Sequence, residues 1–207
     1  MSVEHQSHWE RVYSSNAEDQ VSWFEAVPET SLSLIRACQL PSDALILDVG
    51  AGDSRLPDAL LRQGFANVAV LDVSAGALEK TKARLGPLAK KVRMIAADVV
   101  DWRPDFQVDL WHDRATLHFL REPGERAAYA ASVRSAVKLG GFVIISGFAP
   151  SGPERCSGLA VQRASQSELA ALLGPEFELL DAFEKDHTTP RGALQRFLYT
   201  RWRRRAD

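Results

Sequence analysis

Three side chains that could do chemistry stand in succession at His112-Asp113-Arg114, within Trp111-His112-Asp113-Arg114-Ala115-Thr116-Leu117-His118. An imidazole with an unperturbed pKa of about 6.5 could take a proton near neutral pH. The carboxylate beside it could orient that ring or accept from an amine, and the guanidinium could bind an anion or pair with the acid. His118, between Leu117 and Phe119, reads equally well as a packed structural histidine. Upstream, three acids each close an apolar run: Asp48 in Ile46-Leu47-Asp48-Val49, Asp72 in Val70-Leu71-Asp72 and Asp98 in Ala96-Ala97-Asp98.

The glycines after Asp48 say what kind of ligand these acids face. Gly50 and Gly52 follow the first apolar run, where a missing Cβ permits unusual dihedrals and close approach of a ligand to the backbone. A dinucleotide fingerprint would continue G-x-G-x-x-G, but Arg55 stands at the third glycine position, and no G-K-[ST] follows to make a phosphate loop. Asp48, just before the turn, repels an anion and suits an ammonium or sulfonium group. Asp72, about 20 residues after the turn, is placed to accept from ribose hydroxyls. Asp98 falls within reach of an adenine amino group. A positive compound carrying a ribose and an adenine fits this set better than a dinucleotide does.

The elements that position these residues alternate. Ala44–Val49, Val68–Leu71, Val92–Ala96, Val108–Trp111 and Phe142–Ser146 are short Val/Ile/Leu-rich runs of the kind buried in parallel sheets. Between them, 56–63, 75–85 and 125–139 have helical length and spacing, which predicts a parallel sheet covered on both faces. Gly64 and Gly86-Pro87 stop the first two helices, Pro123 suits the first turn of the third, and Gly140-Gly141 is expected to end it. Ser165-Gln166-Ser167-Glu168 has capping-box spacing and predicts a helix over 166–173. Phe177–Phe183 and Leu194–Arg201 read as adjacent strands joined by the turn-rich 187–192, an antiparallel pair at a sheet edge. The connection 148–158 is longer than usual and is expected to cover or shape a site, with Arg155 and Cys156 available to a substrate. His187 and Arg191 are candidates for its other side. Ahead of the core, 8–13 is helix-compatible, Trp23-Phe24 sets two large aromatics together, and Leu32, Ile35 and Cys38 recur at helical spacing; this segment is either a packed helix or a flap over a ligand.

Composition narrows the class. The 207 residues are 45% hydrophobic and 25% charged with a net charge of −2, which suits one globular domain and gives no general pull toward nucleic acid or anionic membranes. The basic end Arg201-Trp202-Arg203-Arg204-Arg205 reads as a solvated face. Cys38 and Cys156 are too few for a disulfide framework. No run approaches the roughly 20 apolar residues of a membrane span, the start MSVEHQSHWE lacks a signal-peptide pattern, and the histidines and acids show no metal-ligand spacing. A cytoplasmic, metal-free protein is expected.

Taken together, Asp48-Val49-Gly50-Ala51-Gly52, Leu71-Asp72-Val73-Ser74, Ala97-Asp98 and Leu139-Gly140-Gly141-Phe142 resemble the class I S-adenosylmethionine-dependent methyltransferases. The resemblance spans 44–201 and implies a doubly wound, mostly parallel seven-stranded α/β sheet of Rossmann-like methyltransferase type with an antiparallel C-terminal strand. It implies one domain, a helical cap or flap over 1–43 and a core over 44–207. It further implies S-adenosylmethionine as cofactor, with Gly50 and Gly52 lining its methionine part, Asp48 near the amino group, Asp72 at the ribose and Asp98 at the adenine, and with Trp23, Ala51, Val73 and Val99 also among the cofactor-binding residues. His112, Asp113 and Arg114 are then the catalytic candidates. A narrower likeness links Asp113-Arg114-Ala115-Thr116, together with 8–13 and Trp23-Phe24-Glu25, to the methyltransferase-like protein lysine methyltransferases, whose segment reads Asp-Lys-Gly-Thr. The departures at Arg114, Ala115 and His118 leave the acceptor open. A small-molecule acceptor, methylated on nitrogen, sulfur or oxygen, is expected ahead of a protein lysine, on a monomer or homodimer with no nucleic-acid or membrane partner. A nicotinamide oxidoreductase and a non-catalytic cofactor-binding protein are the rival readings.

Overall fold

The short apolar runs form the sheet because alternate residues serve two different cores. The computed structural model describes residues 3–206, with side chains from His5 onward. The central strand β1 (Leu45–Val49) has Ile46 in one buried cluster and Leu47 and Val49 in the other. In β2 (Asn67–Asp72) Val68 and Val70 alternate with Ala69 and Leu71 in the same way. A strand buried on both faces reads as a continuous hydrophobic run, which is how these appear in the sequence. β3 (Val92–Ala96), β4 (Val108–Arg114) and β5 (Val137–Phe148) complete the parallel part. β8 (Phe177–Thr188) and β9 (Leu194–Arg204) form a long antiparallel hairpin whose β9 runs antiparallel to β5. The seven-stranded order is β3-β2-β1-β4-β5-β9-β8. A two-residue-strand hairpin, β6 (Arg155–Cys156) and β7 (Leu159–Ala160), stands apart from it.

One face carries α1 (Val3–Ser15), α2 (Glu29–Ala37), α3 (Leu56–Arg62) and α4 (Ala75–Leu85), through side chains such as Trp9, Ile35, Leu60 and Leu78. The other face carries α5 (Pro123–Ala136) and α6 (Gln166–Leu173), through Tyr129, Val133 and Leu169. Ser165 closes its capping box, with Glu168 Oε2 accepting from Ser165 N at 2.7 Å.

Several boundaries differ from the sequence reading; β8 runs on to Thr188 and β9 to Arg204. α5 ends at Ala136, and β5 begins at Val137, so Gly140-Gly141 lies inside a strand rather than ending a helix. Val137 already pairs with Val108 of β4, and the ladder is irregular from there to Phe142, where regular pairing with β4 and β9 begins. β4 runs on through Arg114, three residues beyond its apolar run, because Asp48↔His112 and Val49↔Asp113 keep its register with β1 while Ile145 and Ser146 of β5 pair on its other side. No helix among the described residues is long and apolar enough to cross a membrane.

Candidate functional site

Strand order reverses between β1 and β4: the chain winds outward from β1 to β3 and then returns to β1's other edge. Loops diverge at such a point and leave a crevice beyond the carboxyl ends of the strands. A cavity with about 1200 Å³ of empty space, counted out to its mouth, opens there. Its floor is the turn after β1. Gly50 and Gly52 both have positive φ, +62° and +53°, and a Cβ at Gly50 would overlap Thr116 Oγ1 while one at Gly52 would overlap the Tyr13 hydroxyl. Glycine is needed here for the backbone conformation and for the neighbours' close approach.

Asp72, at the end of β2, holds this turn. Its Oδ2 accepts from Gly52 N at 2.7 Å and its Oδ1 from Ser74 N at 2.8 Å. Burial pushes its carboxyl up to about 6, against the pull of those two amides, and nearby Asp48 and Glu10 add to the rise. Asp48 is 3% exposed; its Oδ1 lies 2.7 Å from His112 Nδ1, and its Oδ2 is buried with no hydrogen-bond partner among the described residues. Val73, Ala97 and Val99 form an apolar wall on the side of β2 and β3. Asp98, between those last two, closes the following turn by accepting from Val100 N at 3.0 Å.

The extension of β4 sorts the three catalytic candidates. Successive side chains of a strand point to opposite faces, so His112 and Arg114 meet the cavity while Asp113 goes beneath the sheet. There Asp113 accepts from Thr116 N at 2.9 Å, Leu117 N at 3.1 Å and the Tyr129 hydroxyl at 2.8 Å, and burial lifts its pKa to about 6 against those bonds. The expectation that Asp113 faces the reacting groups is therefore corrected: it organises the loop after β4 from the far side. His112 has both ring nitrogens engaged, Nδ1 with Asp48 and Nε2 with Ser31 Oγ at 2.9 Å. Arg114 donates through Nη1 to Trp23 O at 2.9 Å, lies 3.4 Å from Glu25 Oε1, and sits 4.9 Å from the Phe197 ring centre.

The N-terminal segment closes the cavity. Trp9 meets Phe119 at 4.8 Å and Trp23 at 5.8 Å in edge-to-face contacts, with Tyr13 beside them. The cover is tied down by Arg55 on Glu18, by Lys80 on the Tyr13 carbonyl, and by His187 Nε2 donating to Ser22 O at 2.7 Å. Glu25 is held below the ordinary carboxylate range: burial raises it, but nearby His187 and Arg114 outweigh burial. Cys156, on the β6–β7 hairpin, also lines the cavity; burial pushes its thiol up to about 11, so it is no ready nucleophile. A second opening, lined by Gln20, Ser22, Trp23, Ser157, Pro190 and Arg191, lies between the cover, that hairpin and the β8–β9 turn.

Of the expected site residues, Trp23, Asp48, Gly50, Ala51, Asp72, Val73, Val99, His112 and Arg114 line the cavity, while Gly52, Asp98 and Asp113 support it through backbone and loop contacts. Ser31, Glu25, Tyr13, Lys80 and Thr116 join them in the wall, although the sequence reading gives none of them a site role. Ser31 had no local signal: it reads as one polar residue among the helical positions of 29–37. No group of three or more His, Cys, Asp or Glu suited to a metal ion occurs among the described residues.

Residues 46–141 match a family model described as a methyltransferase domain. Among solved structures, the chain is similar to 1,6-didemethyltoxoflavin-N1-methyltransferase from Burkholderia thailandensis, solved with 1,6-didemethyltoxoflavin and S-adenosylhomocysteine (23% identity, 98% of this chain and 89% of that one, TM-score 0.74). It is similar to the protein whose structure describes conversion of a disulfide bond into a thioacetal group during echinomycin biosynthesis (18% identity, 98% and 94%, TM-score 0.78). It is also similar to the glycopeptide N-methyltransferase MtfA in complex with S-adenosylmethionine (14% identity, 88% and 96%, TM-score 0.65). No curated protein sequence matches it. The strand order and the glycine turn at the switch point agree with the methyltransferase domain matched over 46–141 and with the fold of these structures.

Proposed function

We propose that the protein transfers a methyl group from S-adenosylmethionine to a nucleophilic nitrogen, sulfur or oxygen of a small molecule. The observation that carries this reading is the open oxygen of Asp48. A buried carboxylate oxygen with no partner is costly unless a ligand supplies one, and Asp48 lines a cavity built on the glycine turn. An amino-acid ammonium answers that need. Gly50 and Ala51 then pass under the methionine part, Asp72 meets the ribose, and Val73 and Val99 flank the adenine beside Asp98. When bound, the cofactor supplies an activated methyl on a sulfonium, so the chain's own work is to align the acceptor, exclude water and receive a proton.

The acceptor belongs on the β4 side, between His112, Arg114, Phe119 and the aromatic cover. Trp9, Trp23 and Phe119 offer it an apolar, ring-lined space, with Glu25 3.4 Å from Arg114 and the Arg114 Nε and Nη2 atoms without a hydrogen-bond partner among the described residues. Such a space favours a compact small-molecule nucleophile over a lysine chain on a protein surface. The test is an acceptor screen reporting S-adenosylhomocysteine release from thiols, amines, phenols, carboxylates and a cell-extract protein fraction. Release with one small-molecule class is expected; release with the protein fraction alone would put protein lysine methylation in its place, and cofactor binding without turnover would favour a non-catalytic role.

A further inference from the structure

We infer that Ser31, on the N-terminal helix α2, is the group that takes the acceptor's proton, and that it passes its own to His112 in a relay ending at Asp48. The inference rests on the methyl-transfer reading above and concerns who handles the proton. The three groups come from three elements brought together only by the fold: Asp48 from β1, His112 from β4 and Ser31 from α2. Asp48 Oδ1 lies 2.7 Å from His112 Nδ1, and Ser31 Oγ lies 2.9 Å from His112 Nε2. All three are nearly sealed, at 3%, 2% and 1% exposure, and all three line the cavity.

Their order follows from hydrogen-bond chemistry. A carboxylate only accepts, so Nδ1 carries the proton that bonds Asp48. A neutral imidazole then has a bare Nε2, and the Ser31 hydroxyl is its donor. No ring nitrogen is left for an acceptor to reach directly. The hydroxyl oxygen of Ser31 keeps its lone pairs and Ser31 lines the cavity, so we route the proton path to the ring through it. As the acceptor's nucleophilic atom gains the methyl, its bond to hydrogen breaks and that proton joins Ser31 Oγ. Ser31's original proton moves to Nε2 in the same step, leaving a neutral hydroxyl and an imidazolium beside Asp48. No electrons are gained or lost by the relay, and it resets when the imidazolium returns its proton to solvent through Ser31 after the products leave. The arrangement repeats the logic of a serine–histidine–acid triad with the flow reversed in purpose: the serine serves as a conduit and forms no covalent bond.

Two measurements decide the matter. Nitrogen-15 NMR of histidine-labelled, cofactor-free protein, with His112→Asn to assign the resonance, reads the ring state without turnover. The Nδ1–H tautomer with a bare Nε2 is expected at neutral pH; an Nε2–H tautomer or an imidazolium would leave no acceptor for Ser31's proton and would overturn the relay. On the acceptor found by the screen, Ser31→Ala should retain S-adenosylmethionine affinity by calorimetry, lower kcat by about 10² as loss of a proton acceptor implies, and abolish a solvent deuterium isotope effect present in the parent. Unchanged kcat in a variant that binds the cofactor normally would sink the relay while leaving the methyltransferase reading intact. A parent protein that binds no S-adenosylmethionine would instead sink that reading.

Discussion

Asp72 is a carboxylate that the fold has already committed to two backbone amides before any ligand arrives, through Gly52 N and Ser74 N. It thereby holds the floor of the cavity in shape and faces the cavity at the same time. Hydrogen bonds to charged groups contribute about 1.5–3 kcal/mol each, so Asp72→Ala should weaken S-adenosylmethionine binding at least about tenfold by calorimetry; an unchanged affinity would remove it from the ribose. His118 presents the opposite situation. It is packed against Phe119 and Phe148 with both ring nitrogens lacking hydrogen-bond partners among the described residues, and burial, helped by the Arg114 charge, pushes its pKa down to about 3. A histidine whose pKa is lower folded than unfolded binds fewer protons in the folded state, so its contribution is present above an unfolded value of about 6.5 and is lost progressively as pH falls toward 3. Asp72 and Asp113, both raised to about 6, act in the other direction: their contribution is full below about 4 and is lost as pH rises through 6. The total pH curve mixes these, so the clean observable is a difference between proteins. Relative to His118→Phe, the parent should lose about 2 kcal/mol of stability between pH 7 and pH 5, read as a fall in the parent-minus-variant Tm difference; an unchanged difference would mean that His118 charges freely in the fold.

Among the elements, the end of β4 decides how the site works. Its backbone is pinned where Ala115 N donates to Ser146 O at 2.8 Å and Thr116 Oγ1 to Val49 O at 3.1 Å. Between these, Ala115 takes φ +70°, a left-handed conformation that an L side chain adopts at a cost of about 1–2 kcal/mol. Glycine adopts that conformation without such a cost, so Ala115 carries strain that glycine avoids. Ala115→Gly should therefore raise stability, by about 0.5–1 kcal/mol once the added freedom of the unfolded chain is subtracted. Denaturant unfolding would show it, and a variant less stable than the parent would mean that packing of the Ala115 methyl outweighs the strain.

At the scale of the whole molecule, the cavity is roofed by the N-terminal segment. Trp9 and Tyr13 belong to the same buried cluster as Ile46 and Leu110 of the sheet, whereas the stretch from Asn16 to Pro28 has a single 3-10 turn at Glu18–Gln20 and, apart from the Trp23 ring on Trp9 and Tyr13, is fastened by polar ties at Glu18, Ser22, Trp23 and Glu25. Polar ties at a partly exposed edge open more readily than an apolar core, so the 16–28 stretch is the natural gate. Limited proteolysis should cut there first, and saturating S-adenosylmethionine should slow that cleavage at least about tenfold. Equal rates with and without ligand would make the stretch a permanent wall.

Much of this architecture is legible in the sequence because its causes are local. Alternating two-sided apolar runs determine β1 to β3, Ser165 and Glu168 determine the start of α6, and Gly50 and Gly52 mark the ligand turn, since only glycine tolerates both the dihedrals and the approach of Thr116 and Tyr13. Local cues misplace the end of α5 and the start of β5, where pairing with distant strands prevails. The same limit applies to His112, Asp113 and Arg114. Their types are visible in the sequence, but the sheet register carries β4 three residues past its apolar run, and the strand's two-residue alternation then sends Asp113 to the opposite face. Ser31 was invisible for the complementary reason: it lies 81 positions from His112, and only the packing of α2 against the sheet brings its hydroxyl to the imidazole.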